Sequence, residues 1–183
     1  MNLKMKFVKD WGRLDLSFKI LSEICEFASG RVDLSELVLD SYISTENMLP
    51  NKEGITTSTK LPMGKSTKAF QAGDVLVSNI RPYFKKIWYA DKSGGCSNDV
   101  LVFRAKDEID SKFLYYILAD ENFFEYSTAT SKGTKMPRGD KTAIMQYEVP
   151  DFSIEEQWEI AKTLTALDDR IAENKKINHH LAA

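Results

Sequence analysis

The sequence predicts an α+β protein: a compact, mainly antiparallel sheet domain with short helices over positions 1–150, followed by a long C-terminal coiled-coil helix over 151–183. Three observations carry this. Positions 75–80, 86–90 and 99–104 are apolar, strand-forming runs within about 30 residues, separated by Pro82 and by Ser93-Gly-Gly-Cys96, and strands joined so closely pair antiparallel. After Pro150 neither Gly nor Pro interrupts the chain, so a single helix of about 30 residues is expected, roughly 45 Å long. Along it Ile160, Leu164, Leu167 and Ile171 repeat at spacings of four, three and four, and the register continues through Asn174, Asn178 and Leu181. That is a coiled-coil seam with two polar positions, which cost stability but set register and partner orientation. The alternative is an amphipathic helix folded back on its own domain.

Taken in order, positions 16–27 place Leu16, Ile20, Leu21, Ile24 and Phe27 at helix-like spacing and predict a short helix ended by Gly30. Positions 42–46 read as a strand, followed by a turn at Pro50-Asn-Lys-Glu-Gly54 and a Thr/Ser-rich extended segment. A turn at Gly73-Asp74 feeds the buried strand 75–80, and Ser93-Gly-Gly-Cys96 turns the chain into 99–104. Asp110 or Ser111 caps a helix over 112–126, whose Phe113, Leu114, Ile117, Leu118 and Phe124 form the core face. Positions 144–149 predict a final strand, and Ser153 with Glu156 is a capping box for the long helix.

With 183 residues, 43% of them hydrophobic, the chain suits one ordinary domain plus an appendage. No apolar run approaches the roughly 20 residues that span a bilayer, and the N-terminus, with Lys4, Lys6, Lys9 and Asp10, lacks an apolar signal core. A cytoplasmic protein without a membrane partner is expected. Cys25 and Cys96 are isolated and the only histidines, His179 and His180, are adjacent, so neither a metal site nor a disulfide is expected. The net charge of −2 conceals a division. Positions 52–92 hold eight cations against three anions, and 128–141 add a net +3, which leaves about −10 for the rest. Either the basic stretches share one face and hold a polyanion, or folding disperses them.

The segment 128–141 (TATSKGTKMPRGDK) is the most informative stretch, because it packs four cations, four small hydroxyls, two glycines and a proline between apolar segments. Gly133 and Gly139 let the backbone approach a ligand without a Cβ in the way, and phosphate is the natural match. The other reading is solvated surface loop. Catalytic signatures are missing. Met63-Gly-Lys-Ser-Thr fails as a phosphate loop because Thr59 stands where a glycine is required. Cys96 has no histidine within reach to serve as a base. No catalytic residue, metal or cofactor is therefore predicted.

Four ordered motifs carry a resemblance: Phe70-x-x-Gly-Asp-Val-Leu-Val-Ser-x-Ile-Arg-Pro-Tyr83, Cys96-Ser-Asn-Asp-Val-Leu-Val-Phe-Arg104, Thr130-Ser-Lys-Gly-Thr-Lys-Met-Pro-Arg-Gly-Asp140, and Glu155-Glu-Gln-x-x-Ile-Ala with Leu167-Asp-Asp-x-Ile-x-x-Asn174. In this order the chain resembles the specificity subunit of type I restriction-modification systems, over about positions 21–181. Members typically carry two target-recognition domains, each followed by a conserved helix, and the two helices pair antiparallel as a spacer. The resemblance implies sequence-specific recognition of double-stranded DNA without catalysis, one half of a bipartite target being read here. Methyltransferase (M) and restriction (R) subunits modify and cut. With one domain and one helix, the chain looks like half of such a subunit, and its Leu181-Ala-Ala ending favours a fragment over a natural half-subunit that pairs with itself or a second half. The candidate DNA contacts are Lys60, Lys65, Lys68, Asn79, Arg81, Tyr83, Lys85, Lys86, Ser131, Lys132, Thr134, Lys135 and Arg138. At Tyr83 and Phe84 the competing reading is sheet packing, and at Arg81 a cap on its own turn. Two other functions compete: a coiled-coil assembly module, and a DNA-recognition fragment of a fused restriction enzyme.

Overall fold

A computed structural model describes residues 17–181, with side chains to position 178, so Leu16 and the side chain of Leu181 lie outside the described residues. The expected helix at 16–27 is instead a strand, a single helical turn and a second strand: β1 (Phe18–Ile20), α1 (Leu21–Ile24) and β2 (Cys25–Phe27). Helical spacing holds only for Leu21 and Ile24, both buried, while Phe18 is 40% exposed. Backbone bonds from Leu21 N to Tyr147 O at 2.8 Å and from Ser22 N to Met145 O at 3.0 Å tie the turn to distant chain. Tertiary pairing overrides local propensity here.

Next come β3 (Arg31–Asp33), β4 (Tyr42–Ile43), β5 (Ser66–Phe70), β6 (Val75–Ser78), β7 (Ile87–Tyr89), β8 (Gly94–Cys96) and β9 (Val100–Ala105). The expected strand at 42–46 stops at Ile43, because the Asn47 amide closes a turn: its Oδ1 accepts from Ser44 N at 2.7 Å and its Nδ2 donates to Thr56 O at 2.8 Å. One sheet runs β2-β9-β6-β7 and is antiparallel throughout. A second four-stranded sheet runs β3-β5-β8-β4, with β4 and β8 parallel. Gly94 and Gly95, expected in a turn, therefore lie inside a sheet. Their reason is crowding: a Cβ on Gly94 would sit 2.2 Å from the Ser41 carbonyl oxygen, and one on Gly95 2.6 Å from Leu37 Cδ1 and Thr67 Cγ2.

The predicted helix 112–126 is two helices, α2 (Ser111–Ala119) and α3 (Glu121–Ala129). Asp120 separates them, extended at φ −66°, ψ 147°, with its carboxylate accepting from Asn122 N at 2.9 Å to cap α3. Asp110 caps α2 by accepting from Phe113 N at 2.7 Å. The expected strand 144–149 begins as α4 (Lys141–Ile144) and becomes β10 (Glu148–Pro150), the partner of β1. The Ser153–Glu156 capping box forms, with Ser153 N donating to the Glu156 carboxylate at 2.8 Å, and opens the 28-residue α5 (Ile154–Leu181).

Two cores flank the first sheet. Val75, Val77, Leu101 and Phe103 face the one containing Leu21, Leu114, Leu118, Phe123 and Phe124. Leu76, Val100 and Val102 face the other, with Ile43, Met48, Phe70 and Cys96. At the start of β6 the buried Asp74 carboxylate accepts from Arg104 Nε and Nη2, each at 2.8 Å, and from Gln71 N at 2.8 Å.

The crowding at the sheet glycines predicts a measurable cost. Gly94→Ala forces a methyl into the Ser41 carbonyl and lowers stability by about 3 kcal/mol, read as a reduced urea midpoint with an unchanged slope.

Candidate nucleic-acid interface

Leaving β6, the chain runs through Asn79, Ile80 and Arg81 into a single 3-10 turn, Pro82–Phe84. The basic loop is clasped onto this exit. Arg81 N donates to Pro137 O at 2.8 Å, Gly139 N donates to Asn79 O at 3.1 Å, and Ile80 forms an antiparallel bridge with Arg138. Gly139 is needed for the approach, since a Cβ there would lie 2.9 Å from Asn79 Oδ1 and 2.8 Å from Ile144 Cδ1. Within the loop, Lys132 and Arg138 exchange backbone bonds at 2.9 Å in both directions, and Gly133 turns the chain at φ 95°. The structure thus brings Asn79, Arg81, Lys132 and Arg138 together.

Carboxylates hold several of these cations. Arg138 Nη2 donates to Asp99 Oδ1 at 3.1 Å, and Lys132 pairs with Asp140. Asp140 also caps α4, accepting from Thr142 N at 2.9 Å and from Ala143 N at 3.2 Å. The Lys132 ammonium, followed by these backbone donors, holds the Asp140 carboxyl below its ordinary range. Asp99 is tied to the same exit, its carbonyl accepting from Asn79 N at 2.8 Å. Sequence reasoning missed Asp99 as a partner and counted Asp140 only as an offsetting charge.

The other candidates divide. Lys135 and Thr134 at the loop tip, and Lys65 beyond β4, are exposed and make no ion pair among the described residues. Ser131 turns its hydroxyl inward, donating to Thr128 O at 2.7 Å. Lys68 is half-buried with Nζ donating to Val100 O at 2.6 Å; burial, and then Lys141 nearby, pushes its ammonium below the usual lysine range. Lys86 donates to Thr45 O at 2.6 Å and is lowered by burial. Lys85 and Lys52 both hold Glu121 at the start of α3, and these two ammonium groups depress its carboxyl. Lys60 stands 3.9 Å from Glu46 with both side chains largely exposed.

Tyr83 and Phe84 are 47% and 39% exposed with ring centroids 4.8 Å apart, so they do not pack into the sheet. Arg81 caps nothing with its side chain, and its backbone is left-handed at φ 50°, ψ 65°.

The long helix is divided too. Its first turns dock against α2 and its cap: Gln157, 3% exposed, accepts from Asp110 N and donates to Phe152 O, both at 2.9 Å. Tyr116 OH donates to Asp168 Oδ2 at 3.0 Å. Ile160 and Leu164 are half-buried in a cleft of about 140 Å³ with Phe113, Tyr116, Ile117 and Phe152. Leu167 and Ile171 are 52% and 54% exposed, and Asn174 and Asn178 are exposed. Among the described residues no His, Cys, Asp or Glu group is placed to share a metal ion, and no helix is long and apolar enough to cross a membrane.

Several known proteins are similar to this chain. The EcoDI specificity subunit of the type I restriction enzyme of Escherichia coli is 30% identical over 152 residues, covering 77% of this chain and 33% of that protein. The HindI specificity subunit of Haemophilus influenzae is 29% identical over 172 residues, covering 88% of this chain and 37% of that one. The chain therefore spans about a third of the length of these curated relatives. The crystal structure of the HsdS subunit from Thermoanaerobacter tengcongensis superposes with a TM-score of 0.67 at 23% identity, over 88% of this chain and 44% of that one. The type I S subunit from M. genitalium superposes at 0.59 and 20% identity, over 87% and 41%. These likenesses agree with the α+β fold described above. The Type I restriction modification DNA specificity domain matches residues 14–183, and the chain belongs to that family.

Proposed function

We propose that this chain reads DNA sequence for a type I restriction-modification system, recognising one half of a bipartite target and directing methyltransferase and restriction subunits to it, with no catalytic residue of its own. In this reading positions 1–150 are the target-recognition domain, and 151–183 the helix through which a second half, or a second copy, is met. The cytoplasm is its place of work. Family membership supports the reading, and the observation that carries it is the clasp that joins the two basic segments at Asn79–Arg81 and Pro137–Gly139. A duplex meeting that seam touches exposed Lys135 and Thr134 first. Lys132 and Arg138 follow by exchanging a carboxylate for phosphate, and Ser131 and Tyr83 lie alongside. Lys60, Lys65, Lys68, Lys85 and Lys86 act as a more distant basic field, Lys68 and Lys86 the least available because each is already bonded to a carbonyl.

Lys132→Ala combined with Lys135→Ala weakens DNA binding by the assembled complex and flattens the log–log salt dependence by about one to two units, while sequence preference changes less. Fluorescence anisotropy across salt concentrations measures it; unchanged affinity and slope would leave the loop as solvated surface. For the helix, the exposed pair Leu167 and Ile171 is the cleaner probe, because Leu164 also lines the chain's own cleft. Leu167→Glu with Ile171→Glu lowers the mass seen by light scattering from that of a pair to that of one chain, since charge in an apolar seam costs several kcal/mol. A wild-type mass of one chain at high micromolar concentration would refute self-pairing.

A further inference from the structure

Two buried side-chain atoms have no hydrogen-bond partner among the described residues, and they lie two positions apart: Asn79 Oδ1 and Arg81 Nε. Buried polar atoms are nearly always satisfied, so an orphaned pair at the seam between two basic segments calls for a physical reason. The two do not serve each other, although one is an acceptor and the other a donor. The carboxylates of the clasp are taken as well, Asp99 by Arg138 and Asp140 by Lys132.

Local physics does not select arginine at position 81. Its backbone is left-handed, a conformation that suits glycine or asparagine and is disfavoured for other residues. The side chain caps no helix and forms no ion pair among the described residues. Yet the planar fork of a guanidinium matches two acceptors lying side by side. The clasp holds the backbone on which it is mounted, through Arg81 N to Pro137 O at 2.8 Å and Phe84 N to Arg81 O at 2.9 Å.

We propose that Arg81 is a DNA-contacting residue held in reserve by this clasp, its fork completed by a paired acceptor on the duplex: two phosphate oxygens, or the O6 and N7 edge of a guanine. The inference rests on the DNA-reading function proposed above and singles out one residue within it. The left-handed backbone supplies a favourable test, because Arg81→Gly removes the side chain while relieving the backbone.

In the chain assembled with its methyltransferase subunit, Arg81→Gly unfolds within about 3 °C of the wild type but binds target DNA roughly ten- to a hundredfold more weakly. Arg81→Lys keeps the charge without the fork and fails to restore affinity. Selection from a randomised duplex library separates the two acceptors. A phosphate contact leaves the selected motif unchanged and lowers the salt slope by about one, whereas a guanine contact relaxes one position of the motif and preserves the slope. Wild-type affinity, motif and slope in Arg81→Gly would overturn the inference. So would a large loss of thermal stability repaired by lysine, which marks a structural role. Absence of DNA binding by the wild-type assembly would overturn the DNA-reading function itself, and this inference with it.

Discussion

The ladder between β6 and β9 is the constraint on which the rest of the molecule depends, because its side chains are buried on both faces. Val75 pairs with Phe103, Leu76 with Val102, Val77 with Leu101 and Ser78 with Val100. Alternate residues enter different cores, so a slip of one position would exchange the contents of both. The Asp74–Arg104 clamp sits at one end of this ladder. A carboxylate only 1% exposed is tolerated when its charge is met, and here both oxygens are met by one guanidinium from β9. The clamp therefore favours one register, and that register determines where β6 ends and Asn79 and Arg81 begin.

From that exit the basic seam follows by short-range geometry. Backbone bonds between 79–81 and 137–139 hold the loop at the end of β6, while the ion pairs of Lys132 and Arg138 orient its cations. Exposed pairs of this kind contribute little stability, on the order of 0–1 kcal/mol. In the DNA-reading function proposed above, that small strength would let a phosphate replace Asp99 or Asp140 at little cost, the carboxylates serving as place-holders for the cations they pair. The clasp itself is made of backbone, which salt screens far less than the charges it presents.

Where the sequence was legible, one interaction range decided the outcome. The apolar runs in 75–80 and 99–104, the Asp110 cap and the Ser153–Glu156 box are local; the runs form strands at Val75–Ser78 and Val100–Ala105, and the cap and the box form as expected. The failures needed distant partners. The helical spacing in 16–27 yielded to pairing with β9 and β10, and Gly94-Gly95 carried no sign that Ser41, Leu37 and Thr67 press against it. Asp120 was legible in principle, since an aspartate inside an apolar helical run is a cap candidate, but the unbroken apolar face from Phe113 to Phe124 outweighed it. In the candidate site, charge counting picked out two segments that the fold joins at 79–81 and 137–139. It did not sort their cations, because whether a lysine is free like Lys135 or bonded to a carbonyl like Lys68 depends on chain some 30 residues away.

The same division between local and distant interactions explains the long helix. Its heptad register is local and continuous from Ile160 to Asn178, yet its environment changes within that length. Gln157 and Ala161 are buried and Ile160 and Leu164 half-buried against the α2 side of the molecule; from Leu167 onward the seam is open. The buried Gln157 amide bonds both the Asp110 N–H at the start of α2 and the Phe152 carbonyl before α5, so the first turns cannot rotate without breaking a buried contact. A helix anchored that way transmits orientation. Were a second half or second copy met through this helix, as proposed above, the angle between the two reading surfaces would be set at the docked turns and the distance between them by the length of the open seam. Changes near Gln157 would alter how the surfaces face, whereas changes beyond Leu167 would alter only whether they meet.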